Sequence, residues 1–181
     1  GTDPALTSEF ITAVVEESSA LNLGLMLKHF PGYGNNRDTH MGSVVDKRPI
    51  TTFRERDFLP FIAGAQAGVG SIMMSHNIVE CMDKKNPASL SPAVHQTLRD
   101  LGFDGVIVTD GLAMKAITKK YSTRQSVVLA VLSGNDMLMR NGYATGIDGV
   151  LDAVKDGRSA EERLDESVRR ILKWKLELGL L

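Results

Sequence analysis

The chain has 181 residues, of which 43% are hydrophobic, and its formal net charge at pH 7 is −1. This length and composition favour a single domain with one hydrophobic core. The balanced charge argues against the basic surface typical of nucleic-acid-binding domains, and no apolar run approaches the ~20 residues of a membrane helix. Neither a nucleic-acid partner nor a membrane segment is predicted. The N-terminus has no signal-peptide pattern and Cys81 is the one cysteine, so the compartment stays open.

The first third of the chain has the pattern of a helix, a strand, a loop and a second helix. Apolar residues at helical spacing predict a helix from about residue 4 to 19, and the apolar run Leu23–Leu27 predicts a buried strand. A polar, glycine-rich loop follows over about residues 31–49. Thr52 and Glu55 have the spacing of a capping box, which predicts that a helix begins there and runs to about residue 68.

The remainder of the chain continues the alternation of strands and helices. Three more strands are predicted, at Ser71–Met74, Val106–Val108 and Met137–Met139. Ser91 has the properties of an N-cap, with Pro92 at the first helical position. Further helices are predicted over about residues 124–133, 146–155 and 159–178, the last opened by a capping box of Ser159 and Glu162.

Strands that alternate with helices predict a parallel sheet with right-handed crossovers. Only four strands are predicted, whereas a closed eight-stranded barrel takes roughly 250 residues. With four of eight strands, the chain could supply about half of such a barrel, or it could be a complete small open sheet of the flavodoxin-like kind. The pattern alone favours neither architecture.

Ionisable side chains follow the first three predicted strands, where parallel α/β folds place their reactive groups. They are Lys28-His29, His76 and Asp110, while Asp38 and His40 lie in the loop after the first strand. Each has an ordinary structural explanation when taken alone, since Asp-Gly is a common turn dipeptide and a loop aspartate often caps its own backbone. Their joint placement at strand ends favours a functional site.

No cofactor is predicted. No pair of cysteine or histidine residues has the spacing of a metal site. No glycine-rich fingerprint opens a helix after a strand in the manner of a dinucleotide or phosphate site. His95 lies on a predicted helix away from the strand ends and is interpreted as a packing or surface residue.

Four segments in the same order and spacing resemble motifs of family 3 glycoside hydrolases. They are Lys28-His29-Phe30-Pro31-Gly32, residues 87–91, residues 101–110 and residues 134–137. The resemblance covers essentially the whole chain and begins partway through the barrel domain of the family. It implies an α/β fold that is the C-terminal half of a TIM-type (β/α)8 barrel, with residues 1–181 forming a single partial catalytic domain that lacks the N-terminal strands.

The resemblance also implies roles for individual residues. Asp110 corresponds to the nucleophile of a retaining, two-step mechanism. Asp38-Thr39-His40 resembles the loop Asp-x-His of the β-N-acetylglucosaminidase branch, in which the histidine is the acid/base and the aspartate orients it. Lys28, His29 and His76 are then expected to contact the sugar. Asp136 is interpreted as structural.

Two positions depart from the pattern of that branch, which commonly has a histidine at residue 33 and often an acidic residue at 111. This chain has Tyr33 and Gly111. Neither is a position to which the resemblance assigns chemistry, so the departures affect the substrate assignment more than the mechanism.

The predicted function is a retaining β-N-acetylglucosaminidase that acts on terminal β-linked N-acetylglucosamine, with cell-wall muropeptide sugars as candidate substrates. As a fragment, the chain is expected to have little activity alone and to associate with the missing N-terminal half of the barrel or with a second copy of itself. Phosphorolysis is an alternative reaction, because a neutral histidine repels phosphate less than a carboxylate does. The sequence is also compatible with a non-enzymatic half-barrel scaffold and with an open sheet that binds a small molecule.

Overall fold

A computed structural model describes residues 2–181 and contains three adjacent parallel strands at its centre. The strands in chain order are β1 (Met26–Phe30), β2 (Val45–Asp46), β3 (Ser71–Met74), β4 (Ile78–Val79) and β5 (Val106–Thr109). The central sheet has the order β1-β3-β5, with Ser71 to Met74 paired in register with Val106 to Thr109. The short strands β2 and β4 form a separate parallel pair beyond the C-terminal edge.

Helices connect the strands and follow the last of them. They are α1 (Pro4–Ala20), α2 (Ile50–Thr52), a π-helical turn (Phe53–Asp57), α3 (Phe58–Gln66), α4 (Pro92–Asp100), α5 (Lys115–Thr118), α6 (Thr123–Ser133), α7 (Tyr143–Lys155) and α8 (Glu161–Glu177). Within residues 2–181, none of these helices combines the length and apolar character needed to cross a membrane.

The predicted fourth strand, Met137–Met139, lies beside β5 but forms only one parallel bridge, between Met137 and Val108. Thr109 donates its backbone N–H to the Met137 carbonyl oxygen, which continues the pairing. The next N–H, from Met139, goes instead to the Thr109 hydroxyl. A side chain thus replaces the backbone acceptor and ends the ladder.

The predicted position of the first strand is wrong by three residues. The strand covers Met26–Phe30, and Leu23 is 57% exposed rather than buried. Within residues 2–181, β1 pairs with β3 alone, so its outer edge has no neighbouring strand. The shift brings Lys28 and His29 into the strand itself.

The two predicted capping boxes are absent. Pro49 precedes a helix that begins at Ile50, so Thr52 already has helical φ and ψ angles of −58° and −42° and cannot act as an N-cap. Helix α8 begins at Glu161 after Ala160, because the Ser159 N–H is bonded to the Ala153 carbonyl oxygen. The predicted cap at Ser91 is confirmed, since its hydroxyl accepts the Val94 N–H at 3.3 Å.

The main hydrophobic core lies between the central sheet and helices α1, α3 and α4. Every residue of β3 and β5 is buried, as expected for parallel strands that are covered on both faces. Phe30 at the end of β1 stacks on Phe58 and meets Phe61 edge-on. This packing fixes the C-terminal end of β1, from which the candidate site begins.

Asp136 joins α8 to β5, the strand at the opposite side of the central sheet from β1. Its carboxylate is fully buried, accepts the Ile107 N–H at 2.9 Å and the Ser167 hydroxyl at 2.7 Å, and contacts the guanidinium groups of Arg99, Arg163 and Arg170. A buried carboxylate is stable only when it is paired and hydrogen-bonded in this way. The structure therefore agrees with a structural role for Asp136.

Three helices present exposed apolar residues spaced four apart. The exposed stripes are Leu6, Phe10 and Val14 on α1, Tyr143, Ile147 and Leu151 on α7, and Val168, Leu172 and Leu176 on α8. Met137 and Met139 beside β5 are also exposed. Each stripe is an apolar surface that no other part of residues 2–181 covers.

Candidate active site

The C-terminal ends of β1, β3 and β5 meet at one edge of the sheet. The Ser75 N–H donates to the Phe30 carbonyl oxygen at 2.8 Å, and the Asp110 N–H donates to the Met74 carbonyl oxygen at 3.0 Å. These bonds carry the strand pairing to the first residue beyond β3 and β5. The side chains that follow the three strands are therefore held on adjacent, rigid backbone.

Asp110 and His29 face one another at this edge. Asp110 Oδ1 accepts the Gly111 N–H at 2.7 Å, while Oδ2 lies 3.8 Å from His29 Nε2. The second distance is too long for a hydrogen bond, so Oδ2 is oriented but not tied to His29. The Asp110 side chain is 15% exposed. Burial lowers the pKa of His29, although the negative charge of Asp110 opposes that shift.

His76 is buried and contacts the backbone of Gly111, the residue after Asp110. Its Nε2 lies 3.0 Å from the Gly111 carbonyl oxygen, and its Nδ1 lies 2.7 Å from the Ser89 hydroxyl. Because a carbonyl oxygen can only accept, Nε2 carries the proton and Nδ1 accepts from Ser89. Both ring nitrogens are thus occupied. Sugar binding by His76 stays a prediction, and its contacts favour a role in fixing the backbone next to Asp110.

Asp38 and His40 form a close pair in the loop after β1. Asp38 Oδ1 accepts the His40 backbone N–H at 2.9 Å and lies 2.6 Å from His40 Nδ1. The backbone bond, and then the ring bond, from His40 hold the pKa of Asp38 below its usual value. An ionised carboxylate fixes the proton on Nδ1 and leaves Nε2 of the neutral ring as a base. Both side chains are well exposed, at 63% and 69%.

Arg48 joins the two ends of the loop that carries this pair. Its guanidinium group lies 2.7 Å from Asp46 Oδ2 and 2.7 Å from Asp57 Oδ2, and it donates to the Gly32 carbonyl oxygen. A side chain at Gly32, which has a φ of +129°, would come within 2.5 Å of Asp57 Oδ2. The glycine is therefore required for both its backbone conformation and the close approach.

Some residues of the site were not anticipated from the sequence. The contact of Tyr33 with Thr39 joins two turns of an irregular loop, and the contacts of Arg48 join Asp46 to Asp57 in the π-helical turn. The Asp-Lys-Arg and Pro-Gly-Tyr-Gly segments give no spacing that identifies such contacts. Among the described residues, no three histidine, cysteine or acidic side chains are grouped to hold a metal ion.

Burial lowers the pKa of three histidines, His29, His76 and His95, below the ordinary value of 6.5. The unfolded chain then binds protons more readily than the folded one, so their contribution to stability is complete above pH 6.5 and is lost as the pH falls below it. We expect the urea concentration at the midpoint of unfolding to decrease when the pH is lowered from 7.5 to 5.5. The His95→Gln variant should lose less stability over that interval, and an unchanged dependence on pH would contradict this assignment.

One known protein family matches this chain over nearly its whole length. The family described as "Glycosyl hydrolase family 3 N terminal domain" matches residues 1–174. The chain belongs to glycosyl hydrolase family 3. The β-hexosaminidase of Xanthomonas campestris pv. campestris (strain B100) is 36% identical over 116 residues, which cover 63% of this chain and 35% of that relative. This family 3 chain thus spans about a third of the length of the curated relatives it matches.

Two solved family 3 structures superpose closely on this chain. The β-N-acetylglucosaminidase from Paenibacillus sp. str. FPU-7 has a TM-score of 0.88 at 34% identity, over 93% of this chain and 34% of that one. The β-N-acetylglucosaminidase from Thermotoga maritima has a TM-score of 0.88 at 26% identity, over 99% of this chain and 40% of that one. These matches confirm the predicted α/β fold, part of a TIM-type barrel with parallel strands and flanking helices.

Proposed function

We propose that this family 3 domain is the C-terminal half of the catalytic barrel of a retaining β-N-acetylglucosaminidase. It would hydrolyse terminal β-linked N-acetylglucosamine, and the sugars of cell-wall muropeptides are candidate substrates. The observation that carries the proposal is the Asp38–His40 pair, with the proton fixed on Nδ1, in the loop that follows β1, the strand whose His29 lies beside the carboxylate of Asp110. The names of the β-hexosaminidase and β-N-acetylglucosaminidase relatives support the same sugar.

In the first step, Asp110 Oδ2 forms a bond to the anomeric carbon and the glycosidic carbon–oxygen bond breaks. Protonated His40 gives its Nε2 proton to the departing oxygen, so the aglycone leaves as an alcohol. Oδ1 of Asp110 stays bonded to the Gly111 N–H, which holds the carboxylate in one orientation. Asp38 stabilises the imidazolium form of His40 before the transfer.

In the second step, a water oxygen attacks the same anomeric carbon and His40 Nε2 takes the water proton. The bond between the sugar and Asp110 breaks, which restores the carboxylate and the protonated imidazole. Lys28 and His29, which lie on β1, would donate hydrogen bonds to sugar hydroxyls. His29 lies beside Asp110 Oδ2, so a sugar bound there would contact both residues.

The decisive test is an activity assay with chromogenic aryl glycosides. This chain would be assayed alone and mixed with the N-terminal barrel segment of the Xanthomonas relative. We expect turnover of the β-N-acetylglucosaminide in the mixture, little turnover by the chain alone, and no turnover of the matched β-glucoside. Product analysis with inorganic phosphate present separates hydrolysis from phosphorolysis. If the two halves associate but turn over neither substrate, the result would favour the non-enzymatic scaffold.

We also propose that the chain functions together with the N-terminal half of a barrel. The unpaired edge of β1 and the exposed residues Met137 and Met139 lie at the two sides of the sheet, where additional parallel strands would continue it. The exposed stripes of α1, α7 and α8 would be partly covered by the added helices. A second copy of the chain is the alternative occupant.

The isolated chain is therefore expected to associate at low micromolar concentration. Sedimentation velocity should detect dimers or larger species, and a dye that binds exposed apolar surface should fluoresce more strongly with the chain alone than with the mixture of both halves. Association should weaken in a double variant of the α1 stripe, Leu6→Ser with Phe10→Ser. A monomer that unfolds cooperatively and binds little dye would contradict the half-barrel proposal.

A further inference from the structure

Thr39 differs from both of its neighbours in its burial. Its side chain is completely buried, whereas the side chains of Asp38 and His40 on either side are more than 60% exposed. A buried residue between two exposed ones fixes the backbone of the loop at that point. The contacts of Thr39 therefore decide where the Asp38–His40 pair is held.

Those contacts are made by the Tyr33 hydroxyl. It accepts the Thr39 backbone N–H at 3.1 Å, and it lies 2.6 Å from the Thr39 side-chain oxygen. One hydroxyl thus bonds the backbone and the side chain of the same residue. Two bonds to one phenol restrict both the distance and the rotation of the loop at Thr39.

The Tyr33 ring connects this anchor to the strand end. It meets the His29 ring edge-on, with 5.5 Å between the ring centroids, and His29 Nε2 lies 3.8 Å from Asp110 Oδ2. The contacts therefore run without a break from the residue beside the carboxylate of Asp110 to the backbone that carries the acid/base pair.

The other contacts of the loop act farther from the pair. Asn36, which precedes the pair in the chain, donates to the Tyr33 carbonyl oxygen and to the Asp46 carboxylate. After the pair, the Ser43 hydroxyl lies 3.4 Å from the Ala116 carbonyl oxygen in α5, and the Lys119 ammonium lies 3.5 Å from the Met41 carbonyl oxygen. The last two distances are at the limit of a hydrogen bond. The Tyr33–Thr39 contact is shorter and lies between the two residues it would position.

We propose that Tyr33 is a positioning residue for the Asp38–His40 acid/base pair. Its hydroxyl holds Thr39, and its ring rests on His29, so the pair is kept at a fixed distance from the carboxylate of Asp110. The inference depends on the proposed glycosidase function for its catalytic consequence. The anchoring of the loop by Tyr33 does not depend on that function.

The test compares Tyr33→Phe, which keeps the ring and removes the hydroxyl, with Tyr121→Phe. The control removes the same atom from a tyrosine that packs against a separate apolar cluster, which includes Leu112 and Ile117. In this chain with its barrel completed, Tyr33→Phe should lower kcat about tenfold for substrates with poor leaving groups, the scale of one hydrogen bond. Activated aryl glycosides and the KM should be unaffected. Thr39→Val should reproduce the selective loss, and Thr39→Ser, which retains a hydroxyl, should restore activity.

A second readout requires no activity. The exchange rate of the Thr39 amide proton, measured by NMR, should rise about tenfold in Tyr33→Phe, again the scale of one hydrogen bond, and stay unchanged in Tyr121→Phe. Unchanged Thr39 exchange would overturn the proposal, and so would equal slowing of poor and activated substrates. If the wild-type protein has no activity while Thr39 exchange rises in Tyr33→Phe, the proposed function fails and the anchor is supported.

Discussion

Replacing Asp110 with asparagine is expected to abolish turnover in the complete barrel, by roughly 10⁶-fold, the scale observed when the nucleophile of a covalent mechanism is removed. Asparagine has nearly the same shape and can still accept the Gly111 N–H. Its amide cannot form the covalent bond to the sugar, and within residues 2–181 the structure brings no second strand-end carboxylate beside His29. Steady-state rates with an activated aryl β-N-acetylglucosaminide would measure the loss.

Asp148→Asn provides the matched control, since Asp148 is exposed on α7 and the same chemical change there should leave the rate unaltered. Trapping with a fluorinated sugar, followed by peptide mass mapping, should place the label on Asp110 in the wild-type protein. A label on another residue, or substantial turnover by Asp110→Asn, would show that a different group forms the covalent bond.

The His40→Ala variant is expected to lose about 10²–10⁴-fold in rate on substrates whose leaving groups need protonation, the usual effect of removing a general acid. An activated aryl group leaves without protonation, so the first step with such a substrate should change far less. The measurement is a series of aryl glycosides with increasing leaving-group pKa, compared between the wild-type protein and the variant.

Equal loss across that series would mean that His40 binds substrate and does not transfer a proton. His95→Ala is unsuitable as a control, because His95 is buried and its removal would disturb the core. Arg37→Ala is a better one, since Arg37 is exposed in the same loop. Its substitution should leave the dependence on the leaving group unchanged.

The alternation of elements and the main candidate residues could be predicted from the sequence because they depend on short-range features. Apolar runs of three residues, each bounded by glycine or polar residues, predict β3 and β5, and Ser91-Pro92 predicts the start of α4. Asp110 is a candidate because it directly follows a predicted strand, and its role as nucleophile is implied by the resemblance to family 3. A parallel sheet brings the ends of adjacent strands to the same edge, so the residues that follow neighbouring strands lie near Asp110.

The sequence by itself determined the class of fold, the family and the residues proposed for chemistry, since each of these follows from periodicity or from a contiguous motif. Only the tertiary structure decided the position of β1, the occupied nitrogens of His76 and the attachment of Thr39 to Tyr33. A strand at an open edge has no alternating pattern strong enough to fix its bounds. The hydrogen-bond partner of a buried polar group is set by whichever group packs against it, and in an irregular loop no spacing along the chain encodes that neighbour.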